Sequence, residues 1–186
     1  MVQYTIDPGV SRFTIRAFAS GMLSAFGHNP TFAVRQYEGD VQFDPENPTS
    51  AALTMKISAP SLDLIDDVSG DDRREILRVM HEQVLEDDKY PTIVYECPNS
   101  AASVKKNGDG QFEVRLDGTL TLHHVTRPQP LTARVSGNQA MLRANGEFSV
   151  KQSDYGINPV SAAGGTIKVK DELKCAFDLV ARPPGS

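Results

Sequence analysis

Phe112-Glu113-Val114-Arg115-Leu116-Asp117-Gly118-Thr119-Leu120-Thr121-Leu122 alternates with a period of two: every even position is apolar or glycine, and every odd position is polar. Successive side chains of a strand point to opposite faces, so this stretch reads as a β-strand with one dry face and one wet face. The pattern recurs on both sides of it. Phe13, Ile15 and Ala17 alternate within Ser11–Ala19, Leu53, Met55 and Ile57 within Ala51–Ser58, and Leu131, Ala133 and Val135 within Pro130–Ser136. Met141–Val150 carries it again, and the closing stretch Thr166–Ala181 places Ile167 and Val169 before Cys175, Phe177 and Leu179. Turn chemistry separates these runs, at Asp7-Pro8-Gly9, Asp44-Pro45-Glu46-Asn47-Pro48, Asn107-Gly108-Asp109-Gly110, Ser136-Gly137-Asn138 and Ala163-Gly164-Gly165. Many medium strands joined by short polar turns predict an all-β antiparallel barrel or sandwich.

One stretch departs from the alternation. Asp71–Leu85 places Ile76, Val79, Met80 and Val84 along one helical face, with acidic residues at its start where a helix dipole favours them. The spacing predicts an amphipathic helix inserted between strands. Its apolar stripe is buried either as a lid on a barrel mouth or against the outside of the sheet.

The length of 186 residues predicts one domain over residues 1–182, with 183–186 as a disordered tail. With 39% hydrophobic and 23% charged residues, the composition is that of a globular chain. A net charge of −5 argues against nucleic acid as a partner. No run approaches the ~18 consecutive apolar residues of a membrane span, so no membrane insertion is expected. Met1-Val2-Gln3-Tyr4-Thr5-Ile6-Asp7 has neither a basic nor a long apolar region of a secretory signal. That predicts a cytoplasmic location for the sequence as it stands, and a periplasmic one if a leader has been removed. Cys97 and Cys175 lie in strand-like runs without ligand spacing and read as reduced structural thiols, with pairing left open.

Several ordered pieces resemble the YceI-like family of lipocalin-like barrels. They are Tyr4-Thr5-Ile6-Asp7 with Ser11 and Phe13, Tyr37-Glu38-Gly39-Asp40-Val41-Gln42-Phe43-Asp44-Pro45, and Asp88-Lys89-Tyr90-Pro91-Thr92-Ile93. Gly118-Thr119-Leu120-Thr121-Leu122-His123 with Val125-Thr126 follows, and then Ser153-Asp154-Tyr155-Gly156-Ile157. The resemblance implies an eight-stranded antiparallel barrel with a helical insertion, holding a polyisoprenoid lipid or isoprenoid quinone and performing no catalysis. Binding, sequestration or transport would be its task, and the bound lipid is the only cofactor-like molecule expected. A homodimer is left open. This chain departs from the family pattern at His124, where a glycine usually follows the histidine, and at Gln152, where an arginine is frequent. His28 is outside the pattern as well.

Strand parity nominates the ligand-binding lining. Phe13, Ile15, Leu53, Met55 and Ile57 come from the early runs, and Val114, Leu116, Leu120 and Leu122 from the central strand. His124 joins them if that strand continues. Phe148 and Val150 follow, with Ile76 and Met80 from the helix. An apolar tail buried there gains about 0.8 kcal/mol per methylene, which requires few directional contacts.

No catalytic residues are nominated. Ser24 and Ser61 lack a GxSxG setting, and Asp66-Asp67, Asp71-Asp72 and Glu86-Asp87-Asp88 flank the helix as solvated charge. Four histidines keep a second reading open, a metal-dependent enzyme or metal-binding protein using His28 and His124. His123 and His124 are adjacent and would point to opposite faces of a strand. A third reading is an interaction module whose barrel is filled by its own side chains.

Overall fold

The computed structural model describes residues 2–20, 29–162 and 167–185. Along the chain the elements are β1 (Val2–Ile6), β2 (Arg12–Arg16), β3 (Ala19–Ser20), β4 (Thr31–Val34), β5 (Tyr37–Phe43), β6 (Ala51–Ser58) and β7 (Leu62–Leu64). Helix α1 (Gly70–Val79) comes next and widens into a π-type turn over Met80–Leu85. Then follow β8 (Thr92–Cys97), β9 (Ala102–Gly108), β10 (Gln111–Leu122), β11 (Val125–Asn138), β12 (Met141–Lys151), β13 (Ser161–Ala162), β14 (Ile167–Val169) and β15 (Glu172–Arg182).

Eight of these strands close on themselves in the order β1-β5-β6-β8-β10-β11-β12-β15, all antiparallel, because β1 pairs with β5 on one side and β15 on the other. This is the eight-stranded lipocalin-like barrel that the resemblance implied. The inward row of β10, Phe112, Val114, Leu116, Leu120 and Leu122, is buried throughout. At the open end of β15, β2 takes over the edge, and β4 and β7 pair on beyond it, extending the wall past the ring. A separate small sheet, β13-β14-β3, flanks the same end.

Particular residues set the local departures from the expected runs. The Ser11–Ala19 run ends as β2 at Arg16, where Ala17 N–H bonds the Pro30 carbonyl at 3.0 Å and the chain crosses to β3. The Thr166–Ala181 run is broken between β14 and β15 at Asp171, whose carboxylate accepts from Ser153 N–H at 2.8 Å and Ser153 Oγ at 2.6 Å. These bonds hold the Asp171 carboxyl below its usual range. The turn expected at Ser136-Gly137-Asn138 falls at Gln139-Ala140 instead, closed by Asn138 Oδ1 accepting from Ala140 and Met141 N–H. Gly137 belongs to the strand; at its φ of +150 a Cβ would lie 2.1 Å from the Met141 carbonyl oxygen. Of the other turn signals, Ala163-Gly164-Gly165 lies outside the described residues. β11 is longer than the expected Pro130–Ser136. Its Pro128 and Pro130 fall where β12 no longer pairs with it, so no ladder bond is missed.

Gly118 faces into the barrel under the Tyr95 ring. A Cβ there would approach the Glu96 carbonyl oxygen to 2.5 Å and the Tyr95 hydroxyl to 2.6 Å. Gly118→Ala is expected to destabilise the barrel by about 1–3 kcal/mol through overpacking. Gly108→Ala, whose Cβ would meet only the Gln111 side chain at 3.9 Å, should shift stability by less than ~0.5 kcal/mol. Urea-unfolding midpoints at unchanged slope measure both.

Candidate functional site

The barrel bore is not filled by its own side chains. Two adjacent, mainly apolar chambers that share part of their lining occupy it. The inner chamber, about 110 Å³, is bounded by inward residues of the ring, among them Leu53, Met55, Val114, Leu116, Ala133 and Leu179. Among the described residues its one side chain bearing a hydroxyl is Tyr95, which donates to the Leu116 carbonyl at 3.4 Å and whose own ionisation is driven upward by burial. The outer chamber, about 530 Å³, lies at the end extended by β2, β4 and β7. Ile15, Leu122, Val150, Ile76 and Met80 line it. Phe13, Ile57, Leu120 and Phe148 line both chambers and form the waist between them.

Helix α1 forms because its ends are satisfied. Ser69 Oγ accepts from Asp72 N–H at 3.1 Å and donates to the Asp72 carboxylate at 2.7 Å, and Asp71 and Asp72 occupy the first turn. The helix is the lid of the barrel mouth. Ile76, Val79, Met80, Val84 and Leu85 look into the outer chamber, which decides between the two placements the spacing allowed. Ile76, Val79 and Val84 are only half-buried, since they face a cavity rather than packed side chains.

Two sets of contacts pin this lid. Near its start, Arg73 donates to the Leu64 carbonyl at 2.7 Å and to Asp63 at 2.5 Å, tying the helix to β7. At its far end Glu86 adopts a left-handed conformation, φ +43, and ends the helical path. The Glu86 carboxylate lies 3.0 Å from His123 Nε2, the Tyr90 and His123 rings meet edge-on at a 4.1 Å centroid separation, and His81 pairs with Asp87. Hydrogen bonding to Lys89, with help from His123, keeps the Glu86 carboxyl below its usual range.

His124 is not part of the lining. β10 stops at Leu122, and His123 and His124 form the two-residue turn to β11, both left-handed at φ +53 and +52. A turn with both central residues at positive φ takes glycine at low cost, and histidine is among the few other side chains enriched there. Strand parity therefore ends before His124, which is exposed on the turn beside Tyr90 at a 5.0 Å centroid separation. His28 lies outside the described residues. Among the described residues, no group of three or more His, Cys, Asp or Glu side chains gathers to hold a metal ion.

The other nominated residues, Phe13 to Val150, face one chamber or the other. Nomination missed the rows of β8, β11 and β15. Tyr95, Leu131, Ala133, Phe177, Leu179 and Cys175 also line the cavity. Leu131/Ala133 and Cys175/Phe177/Leu179 already showed the period of two. Ile93/Tyr95/Cys97 showed it as well, in a short run bounded by Pro91 and Pro98. Cys97 and Cys175 are both free and buried. Burial pushes the Cys175 thiol up to about 12, so it stays protonated and serves as apolar wall. Gln152, 2% exposed, spends its amide N–H on the Lys170 carbonyl at 3.0 Å.

An eight-stranded barrel with an apolar bore and a helical lid defines a lipocalin-like architecture. The YceI-like domain model matches residues 4–181, and the chain belongs to that family. It is 27% identical to Protein YceI of Shigella flexneri over 150 residues, 76% of this chain and 71% of that protein. Among solved structures, it is similar to a polyisoprenoid binding domain from Saccharophagus degradans, with a TM-score of 0.69 at 13% identity over 99% of this chain and all of that one. It is also similar to BcnA of Burkholderia cenocepacia, with a TM-score of 0.68 at 18% identity over 94% of this chain and 98% of that one. At these identities the structural likeness speaks for the fold.

His123→Ala removes both the Glu86 contact and the edge-on contact with the Tyr90 ring. Amide exchange across residues 70–90 should accelerate roughly fivefold, with the amides of β10 and β12 unchanged, as read by hydrogen-exchange mass spectrometry.

Proposed function

We propose that the protein binds and sequesters a long apolar lipid of the polyisoprenoid or isoprenoid-quinone class, tail inward, without chemical change to it. The carrying observation is the pair of adjacent apolar chambers beneath a helical lid. Protein interiors are ordinarily close-packed, so unfilled apolar space on either side of Phe13, Ile57, Leu120 and Phe148 suits an occupant that the chain itself does not supply. Family membership and the likeness to the polyisoprenoid binding domain of Saccharophagus degradans support the same class of ligand. Burial of the tail supplies affinity at about 0.8 kcal/mol per methylene.

The mouth favours an uncharged head. Among the described residues lining the outer chamber the one cation is Arg78. Its guanidinium is engaged by Glu75 at 2.8 and 3.0 Å and by Glu82 at 3.1 Å. A polyprenyl alcohol or quinone fits this setting better than a diphosphate, whose charge would seek a cation with no other partner.

Native mass spectrometry of protein purified from cells should show a bound organic mass that is lost on organic extraction. Stoichiometric metal by elemental analysis, with no lipid, would overturn the proposal. Leu120→Asp places an unpaired charge at the waist, a cost of several kcal/mol, and should abolish lipid capture or unfold the barrel. Retention of both lipid and stability would show that the bore is not where lipid binds.

A further inference from the structure

The bore is blind at its inner end, and the residues that stop it lie in a defined place relative to the waist. Tyr4 is fully buried and reaches across the barrel to donate to the Asn138 carbonyl at 3.1 Å. Phe43 and Phe112, 1% and 2% exposed, meet edge to face at a 5.1 Å centroid separation. Phe43 also borders the inner chamber, so this aromatic layer is its floor. Above the chamber stands the waist, where Phe148 lies 6.3 Å from Phe13 and 6.4 Å from Phe177 between ring centroids.

From this geometry we infer that the inner chamber is a subsite for the end of the ligand's tail, and that its floor sets the longest tail the protein holds fully buried. The inference rests on the lipid-binding reading above. A chamber of about 110 Å³ is of the order of the ~150 Å³ apolar cavity that elsewhere stays dry and takes up a benzene-sized molecule. It has room for a terminal prenyl unit and little more. The waist admits a slender chain, and the outer chamber, about 530 Å³, takes the units nearer the head. A tail too short to pass the waist leaves the inner wall uncovered. One too long meets Tyr4, Phe43 and Phe112 and must leave its head end outside the lid.

The experiment measures affinity for a graded series of all-trans prenyl alcohols by titration calorimetry. With the unaltered protein, affinity rises about fourfold for each methylene buried and then stops rising at one tail length. Ala133→Leu fills the inner chamber and should move that break shorter by about one isoprene unit. Leu116→Ala enlarges the chamber and should move the break the other way. Circular dichroism establishes that each variant is folded, and either variant alone decides the matter. Binding of the series with the break unmoved in a folded variant would overturn the ruler and leave the carrier reading standing. Failure of every alcohol to bind the unaltered protein would overturn the carrier reading and the ruler with it.

Discussion

The pairing of β1 with both β5 and β15 is the constraint on which the rest of the molecule depends. It removes the free edges of the eight-stranded ring and fixes its circumference, and with eight strands the bore is just wide enough for side chains or for one slender ligand. Which of these results depends on the size of the inward residues. Ile6 occupies the space above Gly39, Tyr95 the space above Gly118, and Phe177 the space above Gly146. Where the inward positions are alanines, at Ala51, Ala133, Ala144 and Ala181, no large side chain compensates, and the inner chamber remains. Natural sequences give up packing where function asks for it.

The lid follows from the same limit. Strand register closes the inner end with aromatic residues, but the outer end is widened by β2, β4 and β7 and needs a cover. Helix α1 supplies it with an apolar stripe that the ring by itself cannot bury. Its polar attachments lie at the periphery, from Arg73 to β7 at one end and from Glu86 and Tyr90 to His123 at the other, with Met80 and Leu85 buried beneath it. A cover held by such contacts opens at less cost than a strand of the ring, so ligand can enter without the barrel unfolding.

Legibility in the sequence tracked how long an element keeps one period. β10 and β6 were readable to within a residue because uninterrupted alternation spans them. The short β4, β7 and β13 were not, since two to four residues cannot display a period. His124 shows the limit from the other side. Parity carried it inward with Leu120 and Leu122, yet the strand had ended, and the left-handed backbone at His123 and His124 is a turn property that alternation does not encode. The reversal at Gln139-Ala140 escaped for a similar reason: Gly137 looks like turn chemistry, while its actual constraint is the close approach of the Met141 carbonyl across the ladder.

By itself the sequence determined which side chains share a face within each long strand, because the period of a strand is local and survives any arrangement of its neighbours. Only the tertiary structure decided that the strands close into a ring, that a waist of Phe13, Ile57, Leu120 and Phe148 divides the bore, and that Tyr4, Phe43 and Phe112 stop it. Those features join residues far apart in the chain, Tyr4 with Asn138 and Phe43 with Phe112. Their meeting depends on register between strands, which no local pattern specifies.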